Sequence, residues 1–423
     1  MHSVMTCTRK SYRVPIGLFV ALGFVAACGT PPEGPSTGAQ QASADGVKMA
    51  PIFEVDPFWP APLPNHWVTG STIGIAVDAQ DNVWTIHRPG SVEDNFRAAD
   101  LTAAEAIDDE VEPDASRGVA RGEAIGACCS VAPPILVYDQ SGALVDSWGG
   151  PGAGYNWPDS NHGIMVDHEG NVWLGGNGRD DTQVLKFSGS GEFLMQLGTH
   201  GVHGGSNDVE NFWRPTNVFE DPTANEVYIS DGYGNRRVIV FDSQTGAYKR
   251  HWGAYGAIPD DGVRPPYDPD AAPSDQLSTV HCVIVSNDGL VYVCDRVNDR
   301  IQVFQKDGTF VTEARVDPRT YRSGSVWDLT FSRDADQTYI YAANGVDQKI
   351  NILLRSTLEV LTSFGDGGRR PGEFFGVHNL ATDSDGNLYT AETYTGARVQ
   401  RFLFKGVGPV TEADQGVVWP QGR

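Results

Sequence analysis

Short apolar runs recur along this chain, each ended by an Asp, Gly or Asn turn. The plainest copy reads His162-Gly-Ile-Met-Val-Asp, then His-Glu-Gly, then Asn171-Val-Trp-Leu. Thr182-Gln-Val-Leu-Lys-Phe and Gly191-Glu-Phe-Leu-Met-Gln-Leu-Gly198 follow it. Apolar runs bounded by turn residues predict four short antiparallel strands joined by hairpins. The same turn, with Trp or Tyr on the second strand, returns between Ile75 and Trp84, Val218 and Tyr228, Val283 and Tyr292, Leu329 and Tyr339, and Leu380 and Tyr389. Helical periodicity is absent from these repeats.

Units of about fifty residues with four strands each predict propeller blades. Six copies begin near Ile73, His162, Thr216, His281, Trp327 and His378, so the expected fold is an all-β, six-bladed β-propeller spanning residues 48–423. The last copy ends after Arg401-Phe-Leu-Phe404 with three strands, and Ile52-Phe-Glu-Val55 is the expected fourth, closing the ring. Insertions near 89–130 and 254–277 are expected to form a rim over one mouth of the channel. The first holds Leu101–Ile107, a short predicted helix, and the acidic run Asp108–Asp114.

The N-terminus reads as a targeting segment. Arg9, Lys10 and Arg13 precede a short apolar stretch, Ile16–Ala27, too short to span a bilayer. Val25-Ala-Ala-Cys28-Gly29 resembles a bacterial lipobox, which implies cleavage after residue 27 and a lipid on Cys28. The competing reading is a plain secretory signal. Residues 28–47 are Pro/Gly/Ser-rich and read as a tether. The expectation is an exported, monomeric cell-envelope lipoprotein that touches membrane only through its anchor. The formal charge is −23, and loss of Arg9, Lys10 and Arg13 takes it to about −26. Such a charge argues against nucleic acid as a partner. Cys282 and Cys294 flank the turn at Ser286-Asn-Asp-Gly289, where export permits a disulfide; two buried thiols is the equal alternative.

Three of the ten histidines occupy the same repeat position, in alternate copies: His162, His281 and His378. A lone histidine at a strand end is usually solvent-facing or a satisfied hydrogen-bond partner. Six-fold stacking places these three about 120° apart at one channel mouth. Three imidazoles with an open fourth position suit zinc. Ile73, Thr216 and Trp327, at the intervening positions, are not strong ligands.

Further motifs accompany them: Val83-Trp-Thr-Ile-His-Arg88, Asp231-Gly-Tyr-Gly-Asn-Arg236, and Cys294-Asp-Arg-Val-Asn-Asp-Arg-Ile-Gln-Val-Phe304. Together with the histidines, from about Thr72 to Phe404, they resemble the NHL-repeat propellers, and among these the peptidyl-α-hydroxyglycine α-amidating lyases. The resemblance implies zinc on His162, His281 and His378, with Tyr233 as the base. It implies that Arg88 and Arg296 hold a carboxylate. The implied substrate is a peptide or small molecule ending in an α-hydroxy carboxylate. It also implies a channel calcium on the carbonyls of Ile75 and Ile164 and on the residue after the third histidine, here Asn379 in place of the family's aspartate. Gly234 stands where the family has a cysteine. The alternative is a non-catalytic NHL propeller that binds its partner on the cell envelope.

Overall fold

The computed structural model describes residues 46–92 and 129–420. The expected signal, the expected anchor at Cys28, and the helix and acidic run expected between 101 and 114 lie outside them.

Six four-stranded antiparallel sheets make the body. Their innermost strands are Thr72–Val77, Asn161–Val166, Pro215–Asp221, Val280–Val285, Asp328–Phe331 and Val377–Thr382, which we number blades one to six. An aspartate shapes the first hairpin of several blades. In blade two, Asp167 Oδ1 accepts the backbone N–H groups of Glu169 (3.0 Å) and Asn171 (2.7 Å), while Oδ2 accepts the indole N–H of Trp173 (3.1 Å). One residue thereby closes the turn and pins the aromatic of the next strand. Asp78 does this for Trp84 in blade one, and Asp383 for Tyr389 in blade six, both at 2.9 Å.

The core is spread between neighbouring blades. Ile73, Ile86 and Ile135 of blade one pack against Ile164, Leu174, Leu185 and Phe187 of blade two. Middle strands such as Val172–Gly176 are therefore buried along their whole length, and outer strands such as Phe193–Leu197 only in part.

Blade six closes the ring with strand Met49–Asp56, paired to Arg398–Pro409 with Phe53 opposite Phe404. The segment Ile52–Val55 thus supplies the fourth, outer strand, and pairing the early strand with the late one closes the ring. Phe53 fixes the closure by packing edge-on to Tyr341 of blade five, ring centroids 5.2 Å apart. Cys282 and Cys294 face each other across the first hairpin of blade four and form a disulfide, in place of two thiols.

Antiparallel order gives each blade one functional end. There the innermost strand starts, the second strand hands over to the third, and the chain crosses from blade to blade. The insertion near 89–130 leaves after His87 and returns before Ile135, both at that end. The insertion at 254–277 joins the outer strand of blade three, Tyr248–Trp252, to the inner strand of blade four. Its carbonyls at Ser274 and Gln276 receive Arg300 and Asn298.

Candidate metal centre and active site

The three histidines converge on the channel axis. Their ring centroids form a near-equilateral triangle with sides of 5.0, 4.8 and 4.8 Å. Their ligand atoms lie within 4.8 Å of one another, and each residue is about 1% exposed. Inner strands that start at one level around a ring bring equal repeat positions to one point.

Each ring has one nitrogen committed. His162 Nδ1 donates to the carbonyl of Thr216 at 2.7 Å, and His281 Nδ1 to that of Trp327. Both acceptors are the residues at the histidine position in the next blade. His378 is also hydrogen-bonded to the backbone of Ile73, the equivalent position in the next blade, and its Nδ1 donates to the side-chain oxygen of its own neighbour, Asn379, whose amide nitrogen donates to Asp328 at 3.1 Å. A proton held at Nδ1 leaves Nε2 as a lone pair, the form a metal ligand requires. Burial pushes His162 and His281 well below the usual imidazole range, and nearby His378 and the arginines push the same way. His378 is lowered to about 3, chiefly by burial. Three neutral imidazoles with oriented donors fit a divalent cation such as zinc.

Tyr233 stands over this triangle. Its phenol oxygen lies 3.4 Å from His162 Nε2 and 3.2 Å from His281 Nε2. Arg296 Nη1 donates to the same oxygen at 3.0 Å. Both residues lie on loops between second and third strands, and both loops are spanned by buried ion pairs. Asp231 and Arg237 meet at 2.9 Å across the Tyr233 loop, and Asp295 and Arg300 at 2.6 Å across the Arg296 loop. The Tyr233 loop also packs closely on its neighbour. A Cβ on Gly234 would sit 2.3 Å from Cγ of Trp213, so the cysteine of the resemblance has no room here.

Arg88 approaches from blade one. Its Nε donates to the carbonyl of Asn161 at 3.1 Å, and its Nη2 to Asn177 Oδ1 at 2.8 Å. Burial lowers its pKa, and Tyr233 is the largest influence opposing that. Neither Arg88 nor Arg296 has an ion-pair partner among the described residues, which leaves both free for a bound anion.

A third arginine, absent from the motifs, completes the group. Arg214 carries its guanidinium 5.4 Å from the Tyr233 ring centroid, and Arg296 carries its own 5.2 Å from that centroid. The residues assigned to calcium lie on inner strands: Ile75 in blade one, Ile164 in blade two and Asn379 in blade six. Both ends of the Asn379 amide are engaged, by His378 and by Asp328.

No family model matches the chain. It is 24% identical over 340 residues to the peptidyl-glycine alpha-amidating monooxygenase of Mus musculus, covering 78% of this chain but 30% of that protein. It is 23% identical over 397 residues to peptidyl-alpha-hydroxyglycine alpha-amidating lyase 1 of Drosophila melanogaster, covering 88% of this chain and 64% of that one. Over 183 residues it is 30% identical to human NHL repeat-containing protein 3, covering 41% of this chain and 46% of that one. The chain therefore spans less than two thirds of each of these relatives. A solved protein of unknown function from Bacteroides thetaiotaomicron shares the fold, with a TM-score of 0.50 at 12% identity over 85% of this chain and 77% of that one. The molecule is an all-β six-bladed β-propeller with sequence similarity to NHL-repeat proteins. Within that class it resembles the amidating lyases.

Proposed function

We propose that this protein is a zinc-dependent carbon–nitrogen lyase, cleaving an N-acyl α-hydroxyglycine to an amide and glyoxylate. The observation that carries the reading is the phenol oxygen of Tyr233, held between Nε2 of His162 and of His281 while accepting a hydrogen bond from Arg296. Zinc on the three Nε2 atoms would supply a Lewis acid that makes the substrate hydroxyl easier to deprotonate.

The chain's own groups do the rest. Tyr233 takes the hydroxyl proton onto its phenol oxygen, and Arg296 stabilises the charge which that oxygen carries as a base. Arg88 and Arg296 hold the carboxylate, their forked donors matching its two oxygens. As the hydroxyl oxygen becomes the aldehyde oxygen of glyoxylate, the C–N bond breaks and its electron pair passes to the amide nitrogen. Tyr233 returns the proton to that nitrogen, so the phenol ends as it began. Calcium in the channel, lipidation at Cys28 and residence on the cell envelope belong to the same proposal.

The test is to purify the protein, measure its metal content, and assay glyoxylate release from α-hydroxyhippurate. Stoichiometric zinc, lost together with activity in the double variant His162→Ala/His281→Ala, is the expected result. Absence of bound metal in the wild type overturns the reading and favours the non-catalytic binding propeller.

A further inference from the structure

Arg214 breaks a repeat rule. Two residues before each histidine-equivalent position stand Ser71, Ser160, Arg214, Thr279, Ser325 and Gly376. Five are small and one is a long cation. The backbone there is unfavourable for a side chain, because Arg214 has φ +64°, in the left-handed region. Thr279 at +57° and Gly376 at +88° share that conformation in blades four and six, so the backbone belongs to the repeat and the long side chain is the exception.

The surroundings of Arg214 are specific. Its Nε donates to the carbonyl of Asn177 at 2.7 Å, and the side-chain oxygen of the same Asn177 receives Arg88 at 2.8 Å. One asparagine thus holds two guanidinium groups, and Arg214 and Arg296 both lie close to the Tyr233 ring. Among the described residues, Nη1 and Nη2 of Arg214, Nη1 of Arg88, and Nε and Nη2 of Arg296 have no hydrogen-bond partner. None of the three arginines has a carboxylate partner there either. Asp181 acts on Arg88 without bonding to it, which leaves three cations against one carboxylate, and a bound anion relieves their repulsion. One carboxylate matches two guanidinium forks, which the reacting carboxylate already uses. The third cation is left over.

We propose that Arg214 binds a second acidic group of the substrate, so that the preferred ligand is a dianion whose acyl portion carries its own carboxylate. This rests on the lyase reading for the identity of the first carboxylate. The charge count itself does not.

The test uses unreactive glycine compounds that lack the hydroxyl, so that binding is read without turnover. N-succinylglycine and N-butyrylglycine differ only in a terminal carboxylate against a methyl, and N-glutarylglycine and N-pentanoylglycine form a longer pair. Calorimetric titration of the metal-loaded protein is expected to show at least one acidic member binding about tenfold or more tighter than its neutral partner, the size of one charge-assisted hydrogen bond. Arg214→Gln should abolish that advantage, and Arg214→Lys should keep part of it. Equal binding within both pairs by the wild type overturns the proposal without any variant. So does an advantage that survives in Arg214→Gln, or binding by none of the four. The hydroxylated forms of the same compounds separate the two readings. Acidic preference in binding without glyoxylate release sinks the lyase and leaves Arg214 its role. Glyoxylate release with no charge preference does the reverse.

Discussion

Arg296 donates from Nη1 to the phenol oxygen of Tyr233 at 3.0 Å, while its guanidinium carbon lies 4.8 Å from the ring centroid of Trp327. The arginine is thus fixed by an aromatic face and by a phenol, while its Nε is buried without a hydrogen-bond partner. Tyr233→Phe removes the oxygen and keeps the ring, so metal content should stay stoichiometric. Glyoxylate release should fall by about 10²–10⁴-fold, the usual worth of a positioned acid–base group. Activity and metal lost together would instead make Tyr233 a structural support.

Asn379 is the one side-chain acceptor serving the triangle. His162 and His281 lean on backbone carbonyls, which no substitution removes, whereas His378 leans both on the backbone of Ile73 and on an amide that Asp328 orients. Asn379→Ala should therefore weaken metal binding by about 10–100-fold, the range for losing such a partner. Asn379→Asp should be worse folded than Asn379→Ala. Its carboxylate would face Asp328, which burial already raises to about 7. Metal titration and urea unfolding of the two variants check both statements.

The blades and the histidines were legible because they are written in local repeats. An Asp–Trp hairpin lies within a few residues of itself, and equal positions in successive copies need only counting. The closing strand was legible for the same reason: three strands in the last copy left one to find. The partners of the site were not. His162 meets Thr216 across 54 residues, His281 meets Trp327 across 46, and Asn379 meets Asp328 across 51. Those contacts arise from blade-to-blade packing, and no local pattern announces them. Arg214 did leave a trace, as the single large residue at its repeat position, but the trace shows only when the copies are aligned two residues before the histidines.

The ion pair beneath Tyr233 should matter to stability and activity alike. Arg237 is fully buried and also donates to the carbonyls of Ser206 (3.0 Å) and Asn211 (2.7 Å). Arg237→Met leaves Asp231 buried without its cation, a loss of about 3–5 kcal/mol for a broken buried pair. Asp231→Leu also orphans the N–H of Trp213 and the amide of Asn235. The double variant should cost less than the sum of the singles, because the interaction is lost only once. Urea unfolding gives the three values, and strict additivity would show that the pair does not act as a unit.

His87 gives this protein a pH dependence separate from the histidine triangle. The ring is fully buried, with Nδ1 accepting the N–H of Gly70 at 3.2 Å and Nε2 donating to the carbonyl of Pro133 at 3.0 Å. One nitrogen accepts and the other donates, so the neutral form is built in, and burial lowers the pKa from 6.5 to about 4. In the unfolded chain the ring takes a proton as pH falls below 6.5; in the folded chain it does not until about 4. Stability from this residue is therefore complete above 6.5 and is lost progressively down to about 4, by about 3 kcal/mol in all. Asp299 and Asp328 are raised to about 7 by burial and have the opposite sign, gaining stability as pH falls through that value. The comparison must accordingly be between variants, where those contributions cancel. Between pH 6.5 and 4, stability of His87→Gln should fall less steeply than that of the wild type, by about one proton's worth of slope, near 1.4 kcal/mol per pH unit. Parallel slopes in urea unfolding would mean that His87 charges in the folded state, against the two hydrogen bonds that hold it neutral.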